Sequence, residues 1–237
     1  MAPPQLPPID HANRQPRESA VNPATEMPRF LRPAPARLRA ALLLAAAGLA
    51  LLSGCALTRG EPTITYDLGP ALAGPAASAT GNPAPAPLPK LRVAQTDGPN
   101  WLEGNALFYR LQYAQAQRLQ AYATQRWVMS PTRLFDERLR EAVAARGTLG
   151  WSGDGSVPAL KVDLLEFDQV FHSATASEGV VRLRATVYRH GMLGQQTFEV
   201  RRPAPSADGA GGVKALAEAS DAAIAALLDW IGTLQLK

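Results

Sequence analysis

The stretch from Arg37 to Cys55, RLRAALLLAAAGLALLSGC, constrains this chain more than any other. Arg37 and Arg39 lead into thirteen residues, Ala40 to Leu52, made only of Ala, Leu and Gly. A helix needs roughly 20 apolar residues to cross a hydrocarbon core of about 30 Å, so this run is too short to span one. It has the length of the apolar centre of a secretory signal, about 7–15 residues, behind a positively charged lead. A short buried core helix, or a signal cut at some other point, are the alternative readings. On the signal reading, whatever folds as a domain lies downstream.

The run closes with Leu52-Ser53-Gly54-Cys55, small residues ahead of the only cysteine in the chain. This tetrad resembles the lipobox of bacterial lipoprotein precursors. The resemblance implies a lipid on the Cys55 sulfur, cleavage before Cys55, and acylation of the new amino group by chains of the palmitate class. An acylated Cys55 leaves no thiol for a disulfide, although an exported protein would have the oxidising environment for one. Beyond that covalent lipid no cofactor is expected. Met27 opens a 29-residue signal-plus-cysteine of ordinary length, so translation starting there would make residues 1–26 an upstream extension. The division read from the sequence is 1–54 for extension and signal peptide, 55–62 for a lipid-anchored lead, and 63–237 for one domain.

The formal charge of +4 first suggests a nucleic-acid or anionic-surface binder. Residues 1–54 hold six arginines against Asp10, Glu18 and Glu26. Of the 24 basic and 20 acidic residues overall, 18 and 17 therefore fall from Cys55 onward, a net of +1. The mature part is nearly neutral, and no nucleic-acid partner is expected. Metal chemistry finds little material there: His172 and His190 are its only histidines, and no Cys/His spacing fits a metal ligand set.

Thr63–Leu68 (TITYDL) is β-branched and aromatic, a candidate first strand. Residues 69–90 follow, with six Pro, seven Ala and three Gly in 22 positions, the composition of a surface loop. Leu91–Ala94, Ala106–Leu111 and Leu119–Trp127 read as strands, with a turn over Asn100–Asn105. Ser130-Pro131 places an N-cap and a first-turn proline at the head of a helix that Gly147 ends. Ala159–Phe171 alternates through Leu160, Val162 and Leu164 and then changes phase to Phe167, which predicts a β-bulge. Val181–Val187 alternates apolar with polar, His190–Gly194 is a hairpin loop, and Gln196–Arg201 returns. After a loop over Pro203–Gly212, Val213–Leu234 has one apolar helical face. The order predicts an α+β single domain: a mainly antiparallel curved sheet with two principal helices packed on one side.

The search for chemistry finds no GxSxG elbow, no glycine-rich phosphate loop after a strand and no HExxH. Ser152-Gly153-Asp154-Gly155-Ser156 has the look of an ion-binding loop but lacks the further ligands, and a plain turn accounts for it. Asp163, Glu166 and Asp168 read as a solvated strand surface. Asp163 and Glu166 differ by an odd number and would point to opposite faces of an unbulged strand. His172 has no nucleophile or orienting acid beside it. A non-enzymatic protein is expected. Arg182, Arg184, Arg201 and Arg202 are candidates for one basic face, either a surface that blunts the sheet against aggregation or a docking surface. Trp101, Tyr109, Tyr113, Tyr122 and Trp127 are core or, alternatively, a partner groove, with Trp127 the candidate docking residue.

From Tyr66 to the C-terminus the layout resembles the ABC-type transport auxiliary lipoproteins, the family that includes paraquat-inducible protein C. The resemblance rests on Tyr66, Leu68 and Pro70 soon after Cys55, and on a strand ending in Trp127 followed by Pro131 and an amphipathic helix. Glu166-Phe167 in a later strand and a closing alanine-rich helix complete it. It departs in lacking an acidic residue between Trp127 and Pro131 and in the length of the 69–90 insertion. The resemblance implies a non-catalytic partner of an MCE-type lipid transporter, working with an MCE-domain protein and an inner-membrane permease and ATPase. A ring-shaped partner leaves a homo-oligomer open. Ala56 after Cys55, where Asp would argue for inner-membrane retention, implies an outer-membrane anchor facing the periplasm. The alternative is an envelope lipoprotein that binds a β-barrel or a cell-wall polymer.

Overall fold

Three long strands, Ala159–Phe171, Ser177–Tyr188 and Met192–Pro203, form the centre of the molecule. Each has the side-chain alternation that buries one sheet face. The computed structural model describes residues 62–71 and 87–236. The signal segment, Leu52, Ser53, Gly54, Cys55 and most of the 69–90 loop lie outside the described residues.

In chain order the elements are β1 (Ile64–Tyr66), β2 (Arg92–Val93), β3 (Ala106–Leu111), α1 (Gln112–Gln115), β4 (Leu119–Trp127) and α2 (Pro131–Arg146). Then come β5 (Ala159–Phe171), β6 (Ser177–Tyr188), β7 (Met192–Pro203) and α3 (Gly209–Thr233). They build one α+β domain around a seven-stranded sheet of order β1-β4-β3-β5-β6-β7, with β2 beside the first residues of β5. The β5–β6–β7 meander and the β3–β4 pair are antiparallel. Parallel pairings join β1 to β4, β2 to β5 and β3 to β5. The sheet is thus mainly antiparallel, as its alternating strands lead one to expect, with three parallel seams.

The phase change in β5 is a bulge: pairing with β6 slips between Leu164 and Glu166. Leu160, Val162 and Leu164 before it, and Phe167 after it, therefore reach the same buried side. Trp127 lies edge-on to Phe167 with centroids 5.6 Å apart. α2 contributes Leu134, Phe135, Leu139 and Val143 to this core, and α3 contributes Leu216, Ala219, Ile224, Leu227 and Ile231. Full burial of each such Leu or Ile is worth about 1.5–3 kcal/mol, so the two apolar helix stripes are what fix the layer.

Several local expectations shift. Ser130 stands at the N-cap position, but its hydroxyl meets the Thr132 hydroxyl at 3.0 Å instead of capping a backbone N–H. The last helix begins at Gly209, four residues ahead of Val213, because Asp208 caps it by accepting a 2.8 Å bond from the Gly211 N–H. Its glycine-rich first turn, which reads as loop in sequence, lets the helix end approach the sheet: a Cβ on Gly212 would stand 2.1 Å from Gln169 Oε1. The hairpin between β6 and β7 is tighter than His190–Gly194, since β7 already starts at Met192. Leu88, inside the Pro/Ala-rich stretch, is buried, and its N–H donates to the Arg146 carbonyl at 2.8 Å.

Where α3 crosses β6 the backbones nearly touch. A Cβ on Gly179 would lie 2.6 Å from Leu216 N and 2.7 Å from the Ala215 carbonyl carbon, both main-chain atoms that cannot swing aside. Gly179→Ala is expected to lower stability by about 1–3 kcal/mol, the usual cost of overpacking. Urea denaturation followed by circular dichroism measures it, and an unchanged midpoint would mean that α3 sits farther from the sheet.

Candidate functional site

The bulge that keeps Phe167 in the core also decides the chemistry of the opposite face. Slipping one residue at Leu165 brings Asp163 and Glu166 to the same side, opposite Arg184 and Arg182 of β6. They do not point apart, as their odd spacing in a regular strand would require. On this open face Arg182 Nε donates to Glu166 Oε2 at 3.2 Å, and Arg184 Nη2 donates to Asp163 Oδ2 at 3.0 Å. Arg201 of β7 donates to Glu178 Oε1 at 2.6 Å and to Glu199 Oε1 at 2.8 Å. Lys161 bonds Asp97 and lies 3.6 Å from Asp163 Oδ1. His172 Nε2 meets Glu178 Oε1 at 2.9 Å. Burial pushes the Glu178 carboxyl up, yet its bonds from Arg201 and His172 outweigh that and hold it below the usual carboxylate range.

Arg182, Arg184 and Arg201 do come together on adjacent strands, as the sequence suggests, but each meets a carboxylate. The face is a checkerboard and not a basic patch. Arg202 alternates to the other side of β7 and, among the described residues, donates to the Arg201 carbonyl at 3.2 Å. Exposed ion pairs of this kind are worth about 0–1 kcal/mol each, so their main effect is on what the face attracts.

Two expectations fail here. Asp168 is not a solvated surface acid: it is 3% exposed, held by Arg110 Nε at 2.7 Å, with Oδ1 buried and without a hydrogen-bond partner among the described residues. Burial raises its carboxyl to about 6, outweighing the neighbouring Arg110 guanidinium. Trp127 is no docking residue, since its indole is 1% exposed and packed on Phe167; its fit to the core decides its place. Of the other aromatics, Trp101 and Tyr113 are half exposed, while the rings of Tyr109 and Tyr122 meet at a tilt of 47° with centroids 4.7 Å apart. Trp101 borders a cavity of about 440 Å³ on the open face, together with Arg110, Leu165, Glu166, Arg182 and Arg201.

The larger cavity, about 540 Å³, lies elsewhere, between α3 and the strap Thr65–Pro70 that continues β1. Arg138 of α2 organises it. Its Nε donates to Asp221 Oδ1 at 2.8 Å, and its Nη atoms donate to the carbonyls of Leu68 (3.0 Å), Gly69 (2.9 Å) and Pro70 (3.3 Å). The side chain is 7% exposed, so one guanidinium fixes the strap and ties α2 to α3. Sequence reading missed Arg138, although a signal exists: it sits four residues after Leu134 and three after Phe135, a charge in an apolar helical stripe. Asp168 gave a weaker signal through its position two residues after Glu166 beyond the bulge.

Among the described residues no three His, Cys, Asp or Glu side chains converge as a metal site. Ser152–Ser156 is a turn in which Asp154 accepts from Ser156 and Lys90. The imidazole of His172 has Glu178 as its partner among the described residues.

The family match begins at Tyr66, within the strap. The model of the family described as ABC-type transport auxiliary lipoprotein component covers residues 66–228. The chain belongs to this family. The auxiliary lipoprotein fold also resembles a crystal structure of a Xanthomonas campestris protein, at 20% identity and TM-score 0.56, over 63% of this chain and 87% of that one. A second solved structure, of an uncharacterised protein, matches at 16% identity and TM-score 0.54 over 72% and 99%. At these identities the likeness concerns the fold. No curated protein matches the sequence.

The buried Asp168 gives the auxiliary lipoprotein a pH signature. Its folded-state value of about 6 lies above the ordinary 3.8, so the native state binds the extra proton between these values. Stability is then greatest below pH 4 in this respect and falls as pH rises to 6, by at most about 3 kcal/mol. Asp154, Glu178 and Asp208, all held low, act with the opposite sign at more acidic pH. Asp168→Asn should flatten the slope between pH 4 and 6 in urea titrations; the same slope in the variant would assign the effect to another group.

Proposed function

We propose that this protein is a non-catalytic auxiliary subunit of an MCE-type lipid transport system between the inner and outer membranes. The observation that carries the proposal is family membership across residues 66–228, nearly the whole described domain. Several features support it. The open sheet face is charged but balanced, which suits a reversible protein contact better than a polyanion. The apolar run and lipobox-like tetrad ending in Cys55 suit a lipid anchor. Two or three acyl chains, each adding about 0.8 kcal/mol per buried methylene, would hold the protein to a membrane permanently. Ala56 suits delivery to the outer membrane, with the domain facing the periplasm. The working partners are an MCE-domain protein with its permease and ATPase, and other copies of this chain where the partner is a ring.

The test is a pull-down of the lipidated full chain from crosslinked native membranes, read by mass spectrometry. The proposal expects an MCE-domain protein and its permease among the leading partners. A β-barrel protein or cell-wall fragments in their place would support an envelope-assembly role and sink the transport one.

A further inference from the structure

The sheet ends at β1, whose other edge meets no strand among the described residues. β1 pairs in parallel with β4, and the Val128 N–H donates to the Tyr66 carbonyl at 2.7 Å. Main-chain groups alternate along a strand, so Ile64 and Tyr66 spend theirs on β4 while those of Thr65 face outward. Beside this free edge runs the 540 Å³ groove. One wall is Thr65 to Pro70 with Val128, and the other is Ala210, Val213 and Ala217 of α3. Val128, which lines the groove, and Ile64, one residue before Thr65 on β1, are large apolar side chains about half exposed. The groove is close to electrically balanced: Asp67 and Glu218 stand against Lys214, and Arg138 and Asp221 are bonded to each other. Arg138 also fixes the strap carbonyls, so this wall is formed before anything binds. An edge that meets no strand among the described residues, an apolar floor and little net charge together suit main-chain recognition of an extended segment.

We propose that this groove takes an uncharged, extended segment of a second protein, which adds to β1 as a further strand. Thr65 supplies the main-chain donor and acceptor, and one apolar side chain of the segment rests against Val213 and Ala217. The inference deepens the reading of the protein as a partner-binding subunit. It specifies where and how a partner is held.

The test places the photo-crosslinking residue benzoylphenylalanine at Thr65, at Lys214 and, as a control, at Gln195 on β7, in the full-length lipoprotein within its own membranes. Adducts from Thr65 and Lys214, but not Gln195, should map to one short continuous stretch of a second protein. Proline is tolerated on an edge strand where its missing N–H faced solvent. Thr65→Pro should therefore keep the wild-type melting curve while lowering the Lys214 adduct about tenfold, the loss of roughly one hydrogen bond. Ala217→Arg, on the helix wall, should have the same effect without touching β1. Adducts to residues 72–86 of the same chain, adducts to a second copy, yields unmoved by both substitutions, or no adducts would each overturn the proposal. An adduct stretch in a protein unconnected with lipid transport would keep the groove and remove the transport reading. An MCE-domain partner in the pull-down with silent Thr65 and Lys214 positions would do the reverse.

Discussion

A single buried guanidinium links the parts of this domain that have least else in common. Arg138 lies within the apolar stripe of α2, yet it reaches Asp221 on α3 and three successive carbonyls of the strap. Burying a charge is costly unless it is paired and its donors are used, and here four bonds meet that requirement. Removal of one partner from such a buried pair costs about 3–5 kcal/mol, because the others are left without a donor. The strap has little apolar area of its own, with Leu68 its one buried hydrophobic side chain. Its position therefore depends on Arg138 as much as on β1. Since the strap is the first described segment of the domain, this interaction decides how firmly its N-terminal end is held to α2 and α3.

The remaining architecture follows from β5. One bulged strand supplies the core through Leu164 and Phe167 and the open face through Asp163 and Glu166. On that face Arg182 and Arg184 stand opposite acids because β6 and β5 carry complementary charges in register, and Arg201 of β7 reaches Glu178 and Glu199. A balanced face repels neither like nor unlike surfaces strongly. It offers no standing attraction to a polyanionic surface. The less polar surface is at the other edge, where β1, Val128 and α3 leave a groove.

Most of the fold was legible because strand alternation and a first-turn proline are local signals. The strand of Ala159–Phe171 with its phase change, the Trp127 strand end and the proline-headed helix are all present where their patterns put them. What was not legible depends on tertiary contact. The early start of α3 was hidden by glycines that read as loop but serve close approach to Gln169. The burial of Asp168 follows from the cover that Arg110 of β3 gives it, and nothing in the β5 pattern announces that cover. Trp127 could be read as anchor or core, and only Phe167 decides between them. Arg138 was visible in principle as a charge inside an apolar stripe, but its partners lie about 70 residues earlier and 83 later in the chain.

The account rests on a strap locked to the domain. Amide exchange across residues 64–69 and at Val128 tests this most directly, in the wild-type lipoprotein and in Arg138→Lys. Lysine keeps the charge and loses the fork that serves several carbonyls at once. The account predicts slow exchange in the wild type and a rise of about 10- to 100-fold in the variant, confined to these residues while the β5–β6 core stays protected. Fast wild-type exchange in the strap, or protection that survives the substitution, would contradict it.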